Sequence, residues 1–519
     1  MTFSKPIRTG TTALLLAGVV VLGTMARSAQ AELLYFEKGG RVQSPALLEA
    51  DRVKIELPGS SYEFRRDDFR KIEPGYAPDR EWAEHRQQAL AKGFPARYEA
   101  LWWAIENGLA AEAAAEAREL HRLDPKHAPT ARMAAALDRL DRPTSDPEFS
   151  EFQKALGVPM TVARGPHVLL LHQRDEPEAS ERIALLERVI TDYYLFFAAQ
   201  GLELKVPARR LIFVWFGDQT AYLAFLQSQN ARAFASTRGY FHPTWNAVVS
   251  YDSRNSDSNR QLREAAQARR DELRRFQDLV DGLSARTKVR VTLTGESART
   301  LDRTRALALA GRLEREIRRQ ELLSELDRRA VDEGTAAHEM VHLLAANSGL
   351  RPRHDLLPFW LQEGIAMQFE VVRGGCWAGI GRANDLRLPD WRRIQPAPRL
   401  ESLVRDTGYG RGYQRDLYAQ SWALVFFLRS QHPARFLTFL DLLRGPDATL
   451  SDLAPSDRWL TVFQRAFGSD LDALENEWMA FMSTVQTPLE HHAPPPERAS
   501  PKPGPSRGGG AAARRRIPD

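Results

Sequence analysis

The sequence predicts an α+β chain, and three observations lead to that class. Residues 33–73 alternate apolar and polar positions between Gly and Pro turns, residues 80–141 switch to helical spacing, and from about 150 strand-like and helix-like segments alternate. The 519 residues are 43% hydrophobic and 27% charged, enough for about three domains with a real core.

The first segment is a targeting signal by its three parts. Lys5 and Arg8 precede the apolar run "TTALLLAGVVVLGTMA", and Ala29 and Ala31 supply a small-x-small cleavage pattern. Residues 1–31 are therefore expected to be a signal peptide cleaved after Ala31, giving a periplasmic or secreted chain that starts at Glu32. The run of 16 residues is short for a span, so no stable membrane span is expected after cleavage. Cys376 is the single cysteine, so an exported chain forms no internal disulfide and must draw stability from packing and any metal. In "RGGCWAG" it reads as a buried or incidental thiol. A net charge of +5, much of it in an Arg-rich tail, gives no reason to expect nucleic acid as a partner.

Residues 32–75 read as a small antiparallel β-module of four or five strands. Val53, Ile55 and Leu57 share one face of a strand, and Pro74-Gly75 closes the module. Residues 80–142 carry Leu101, Ala104, Ile105 and Leu109 on one helical stripe, a break at Gly108 and a stop at "LDPKHAP". This resembles a tetratricopeptide-like helix pair, a spacer or a surface for a protein partner.

From 150, "HVLLLHQ" and "RRLIFVWFG" read as strands, "ASERIALLERVITDYYLFFAAQG" and "QTAYLAFLQSQ" as helices, and "TRGYFHPTWNAVVSYD" as two short strands. Residues 256–331 interleave acidic and basic residues on two long amphipathic helices around "KVRVTLTG", expected to form a helical-hairpin insertion. "RFLTFLDLLRG" and "VFQRAFGSDLDALENEWMAFM" add helices, with Leu471, Leu474 and Trp478 as core. The Pro- and Gly-rich tail, 485–519, is expected to be disordered.

Chemistry concentrates at residues 338–342, "HEMVH". Two histidines four apart lie on one face of a helix and can reach one ion, with Glu339 beside them. After twenty intervening residues, Glu363 lies in "FWLQEGIA", a segment long enough to be a second helix running back. His338, His342 and Glu363 then form a three-ligand set with a fourth position open, the coordination of a catalytic zinc.

"HEMVH", its twenty-residue interval and "WLQEGIA" resemble the gluzincin metallopeptidases, above all the aminopeptidase branch, whose third ligand sits in a Trp-Leu-x-Glu-Gly-x-Ala segment. The order of β-module, helix pair and motif domain is also similar to a bacterial family of exported proteins with a peptidase-MA-like domain. The resemblance covers roughly residues 150–480. It implies a zincin-like domain over 150–484, built of a small mixed sheet and a helical C-terminal half. It implies Zn2+ held by His338, His342 and Glu363, with Glu339 as the general base that takes a proton from the attacking water of a peptide or protein substrate.

The same branch uses a tyrosine to stabilise the oxyanion. Here Tyr418, 55 residues after Glu363 in "DLYAQSWALVFFLRSQ", is the candidate, with Tyr409 and Tyr413 as alternatives. The family's Gly-x-Met-Glu-Asn amine-binding segment has no counterpart between 200 and 337, so an endopeptidase is favoured over an exopeptidase. Four residues after Glu363 stands Met367 where a thermolysin-type acid would stand, and Glu370 reads as too far along to replace it. Residues 240–249 are either a substrate-pairing edge strand or a core hairpin. The competing functional class is a non-catalytic cell-envelope scaffold that retains the fold.

Overall fold

A computed structural model describes residues 30–487, except 38, 58–59, 285–286, 295–296, 352–356, 374, 395–398, 408–413, 446–449 and 451. The signal segment up to residue 29 and the tail from 488 lie outside the described residues. The chain is mixed α+β with several small sheets.

Five strands come first: β1 (Gln30–Phe36), β2 (Arg41–Leu48), β3 (Arg52–Leu57), β4 (Ser60–Arg65) and β5 (Phe69–Pro74). They form an antiparallel sheet in the order β4-β3-β2-β1-β5. Alternation turns Val53 and Ile55 inward onto Phe36, Phe64 and Phe69.

The stretch expected to hold a helix pair holds four helices: α1 (Pro78–Lys92), α2 (Phe94–Ile105), α3 (Ala110–Leu123) and α4 (Ala128–Leu140). Three begin with a proline in the first turn, where the missing N–H is harmless. Of the two helices beyond a pair, α1 fully buries only Ala89, so its apolar stripe is faint in the sequence. The turn after α2 docks on the later chain, where Ile380 N–H donates to Ile105 O at 3.4 Å.

Next come α5 (Ser150–Ala155), β6 (Thr161–Arg164), β7 (Val168–His172), α6 (Glu176–Gln200), β8 (Leu211–Phe216), α7 (Gln219–Ser228), β9 (Gly239–His242) and β10 (Ala247–Tyr251). The sheet runs β6-β7-β8-β10-β9, with β7, β8 and β10 parallel and the two outer strands antiparallel. Every residue of β7, β8 and β10 is buried, which explains their unbroken apolar sequences. Leu170, Phe213 and Val248 point to the layer of α6, and Leu171, Val214 and Val249 to the opposite layer with α7. Of the hairpin at 240–249, β9 is the sheet edge and β10 is interior.

The chain then forms α8 (Asp257–Asp281), the hairpin β11 (Lys288–Val291) and β12 (Arg299–Asp302), and α9 (Arg303–Ser348). The expected boundary near 331 is absent, because the second arm of the helical hairpin and the "HEMVH" helix are one 46-residue helix. No proline interrupts residues 303–348, the Asp302 side chain caps the start, and Gly349 in the left-handed region ends it. The same helix serves the first sheet: Leu322 packs into its core, and Arg319 Nη1 donates to Gly39 O at 2.7 Å.

The remainder is α10 (Phe359–Ala366), the short hairpin β13 (Val372–Arg373) and β14 (Cys376–Trp377), α11 (Arg387–Trp391), α12 (Leu400–Val404), α13 (Gln414–Gln431), α14 (Pro433–Arg444), α15 (Pro455–Phe467) and α16 (Leu471–Thr484). Trp422, Val425, Leu474 and Trp478 lie in the core of this helical half. Cys376 is exposed, not buried. Among the described residues no helix is long and apolar enough to cross a membrane.

Candidate metal centre

The last third of α9 sets His338 and His342 one turn apart on one face, their ring centroids 4.8 Å apart. The third group arrives on α10, an eight-residue helix whose first N–H, at Phe359, donates to Asp406 Oδ2 at 2.7 Å. Helix α10 lies tightly against α13 because Gly364 has no side chain: a Cβ there would stand 2.6 Å from Ser421 O and would also clash with Val425. This close approach, one residue after Glu363, fixes where the carboxylate points.

Three donor atoms converge as a result. His338 Nε2 lies 3.1 Å from Glu363 Oε2 and 3.1 Å from His342 Nε2, and His342 Nε2 lies 3.4 Å from Glu363 Oε1. Ligands about 2.05 Å from a tetrahedral zinc would be about 3.3 Å apart, so the donor set fits that ion in both type and spacing. His338, His342 and Glu363 are the group among the described residues that could hold a metal ion.

A second carboxylate stands behind the first histidine. Glu370 Oε2 faces His338 Nδ1 at 3.3 Å, while Asn384 Nδ2 donates to Glu370 Oε1 at 2.8 Å and Arg387 Nε donates to the same oxygen at 2.7 Å. The sequence spacing had argued against Glu370, counting it two turns beyond Glu363. Helix α10, however, stops at Ala366, and the chain turns back on α9 so closely that a Cβ on Gly334 would lie 2.6 Å from Glu370 O. Glu370, and not position 367, is thus the acid that faces His338 Nδ1. Asn384 and Arg387 come from a segment without a motif, and only the fold reveals them.

The electrostatics follow from this packing. Burial opposes protonation of His338, but hydrogen bonding to Glu363 and Glu370 outweighs it and raises the imidazole to about 10. Burial would raise Glu363, yet the charge of His342 and its hydrogen bonds to both histidines hold it well below the usual carboxylate range. Glu370 is likewise pulled down to about 2, burial being overcome by Arg387 and His338. Glu339 goes the other way: its own burial raises the carboxyl, only partly offset by His338 and His342.

Glu339 is buried and lies against the sheet edge, where a Cβ on Gly239 of β9 would be 3.1 Å from Glu339 Cγ. Tyr418, on α13, is not among the converging groups. Its ring sits 5.5 Å from that of Phe359 and under the guanidinium of Arg387, the partner of Glu370, at 5.3 Å. Tyr409 and Tyr413 lie outside the described residues.

Residues 332–445 match a family described as "Protein of unknown function (DUF1570)", a stretch that contains His338, Glu339, His342, Glu363, Glu370, Arg387 and Tyr418. No curated protein and no solved structure matches the chain.

Proposed function

We propose that the chain is an exported zinc-dependent peptidase of gluzincin type, with residues 150–484 as its zincin-like domain. The observation that carries this reading is the convergence of His338, His342 and Glu363 at zinc-like spacing, beside a buried carboxylate, Glu339, that belongs to no ligand set. His338, His342 and Glu363 would hold the ion, and Glu370 would fix the ring orientation of His338. Zinc would supply Lewis acidity and bring the pKa of a water toward neutrality.

The residues of the chain do the rest. Glu339, its carboxyl raised by burial, takes the proton of the attacking water and passes it to the leaving amine. The outermost strand β9 runs beside α9, and an extended peptide adding to its free side would bring its backbone past Glu339. The resemblance nominates Tyr418 as hydrogen-bond donor to the developing oxyanion, a role for which its ring, packed on Phe359 and Arg387, would have to turn toward the ligands. The missing amine-binding segment favours cleavage within a peptide over removal of its first residue. The signal-like sequence at residues 1–31 supports export to the periplasm or beyond.

The test is metal content and cleavage of a mixed peptide library by the mature chain. One zinc per chain is expected, with internal cleavages that a chelator abolishes and zinc restores. One zinc without any cleavage would favour a scaffold that keeps the fold.

A further inference from the structure

A cavity lies where the first sheet, α6 and α9 meet, bordered by Gly375 and Cys376 of the β13–β14 turn. It holds about 370 Å³, and Leu57 of β3, Leu185 of α6 and Leu326 of α9 give it apolar walls. Most charged groups around it are neutralised locally: Arg182 pairs with Asp332 at 2.7 Å, and Arg254 with Glu178. Two partly buried ones, Arg188 on α6 and Glu333 on α9, line the cavity without a hydrogen bond or an ion pair to a described residue, although the charge of Arg188 acts on Glu333 and on the buried Asp192.

Opposite charges that line a partly apolar cavity without hydrogen-bonded partners are costly to bury unless something bridges them. We propose that the cavity binds a small zwitterion, a free α-amino acid with an aliphatic side chain. Its carboxylate meets the planar fork of Arg188, its ammonium meets Glu333, and its side chain lies among Leu57, Leu185 and Leu326. The volume stands at the small end of ligand pockets, which suits a ligand of this size. Burial also raises the Glu333 carboxyl to about 7, so an ammonium beside it would draw it back to its ionised form. This site stands apart from the metal ligands, and its occupancy does not require the metal centre to be catalytic.

The test is titration calorimetry and thermal unfolding of the full mature chain with L-leucine, N-acetyl-L-leucine and L-leucinamide. Leucine is expected to bind at one site per chain and raise the unfolding temperature. The derivatives, each lacking one charge, should bind at least about tenfold more weakly. Arg188→Gln and Glu333→Gln should each lose leucine binding while keeping their zinc content and circular dichroism. No saturable binding of leucine, equal binding of all three compounds, or binding retained by both variants would overturn the proposal. Because the two derivatives probe the unaltered protein, a variant that fails to fold does not remove the test.

Discussion

Gly364→Ala adds one methyl group at the place where the third ligand helix is braced. The new Cβ would sit 2.6 Å from Ser421 O, and ordinary contact begins near 3.4 Å, so α10 must retreat from α13 by about 0.8 Å. The obstacle is backbone, which cannot rotate away as a side-chain tip would. Overpacking of this kind costs about 1–3 kcal/mol. Glu363 is the adjacent residue, and its oxygens now stand 3.1 and 3.4 Å from the two histidine nitrogens. A displacement approaching 1 Å exceeds the roughly 0.5 Å that a preorganised site tolerates, so zinc affinity should fall together with stability. Denaturant unfolding and competition with a chromophoric chelator measure both. Adding Val425→Ala should recover part of the stability, since it removes the side-chain half of the clash, but not all of it. A Gly364→Ala chain with wild-type stability and wild-type zinc affinity would refute the packing argument.

Other predictions follow from the same geometry. Glu370→Gln keeps the shape of the side chain but removes the charge facing His338 Nδ1, and zinc affinity should fall about 10- to 100-fold in the same chelator assay. His167 faces acceptors with both ring nitrogens, Glu187 Oε2 at 2.7 Å and Leu140 O at 2.8 Å, so only the imidazolium can donate to both. Burial opposes that charge, yet the hydrogen bond to Glu187 prevails and the imidazole is raised. Its stabilising contribution is therefore complete below about pH 6.5 and is lost as pH rises through the raised value. Wild type should accordingly lose stability relative to His167→Gln as pH increases, and parallel curves would contradict the pairing. A deletion of 240–249 removes part of interior strand β10 along with edge strand β9 and should unfold the domain, which circular dichroism would report.

Much of this architecture is legible in the sequence because single physical rules govern it. Strands β7, β8 and β10 are buried on both faces, so their apolar runs need no partner information to be read. The helix carrying His338 and His342 and the helix carrying Glu363 follow from spacing and from the apolar residues between them. Other features depend on tertiary contacts. The unbroken length of α9 is hidden because Gly334 resembles a helix break, whereas its bare Cα accommodates the Glu370 carbonyl. Glu370 itself becomes intelligible only when the chain reverses after Ala366, since counting residues along a helix puts it out of reach. Arg387 and Asn384 sit in a segment without periodicity, and their link to the site is visible only in space.

The central claim separates metal binding from catalysis at one residue. Glu339 contributes no ligand atom to the converging set, so Glu339→Gln should retain zinc at one per chain. The same variant should lose cleavage of a mixed peptide library by at least about 10²-fold, the scale of general-base catalysis. Library cleavage by Glu339→Gln at the wild-type rate, with zinc still bound, would contradict the account.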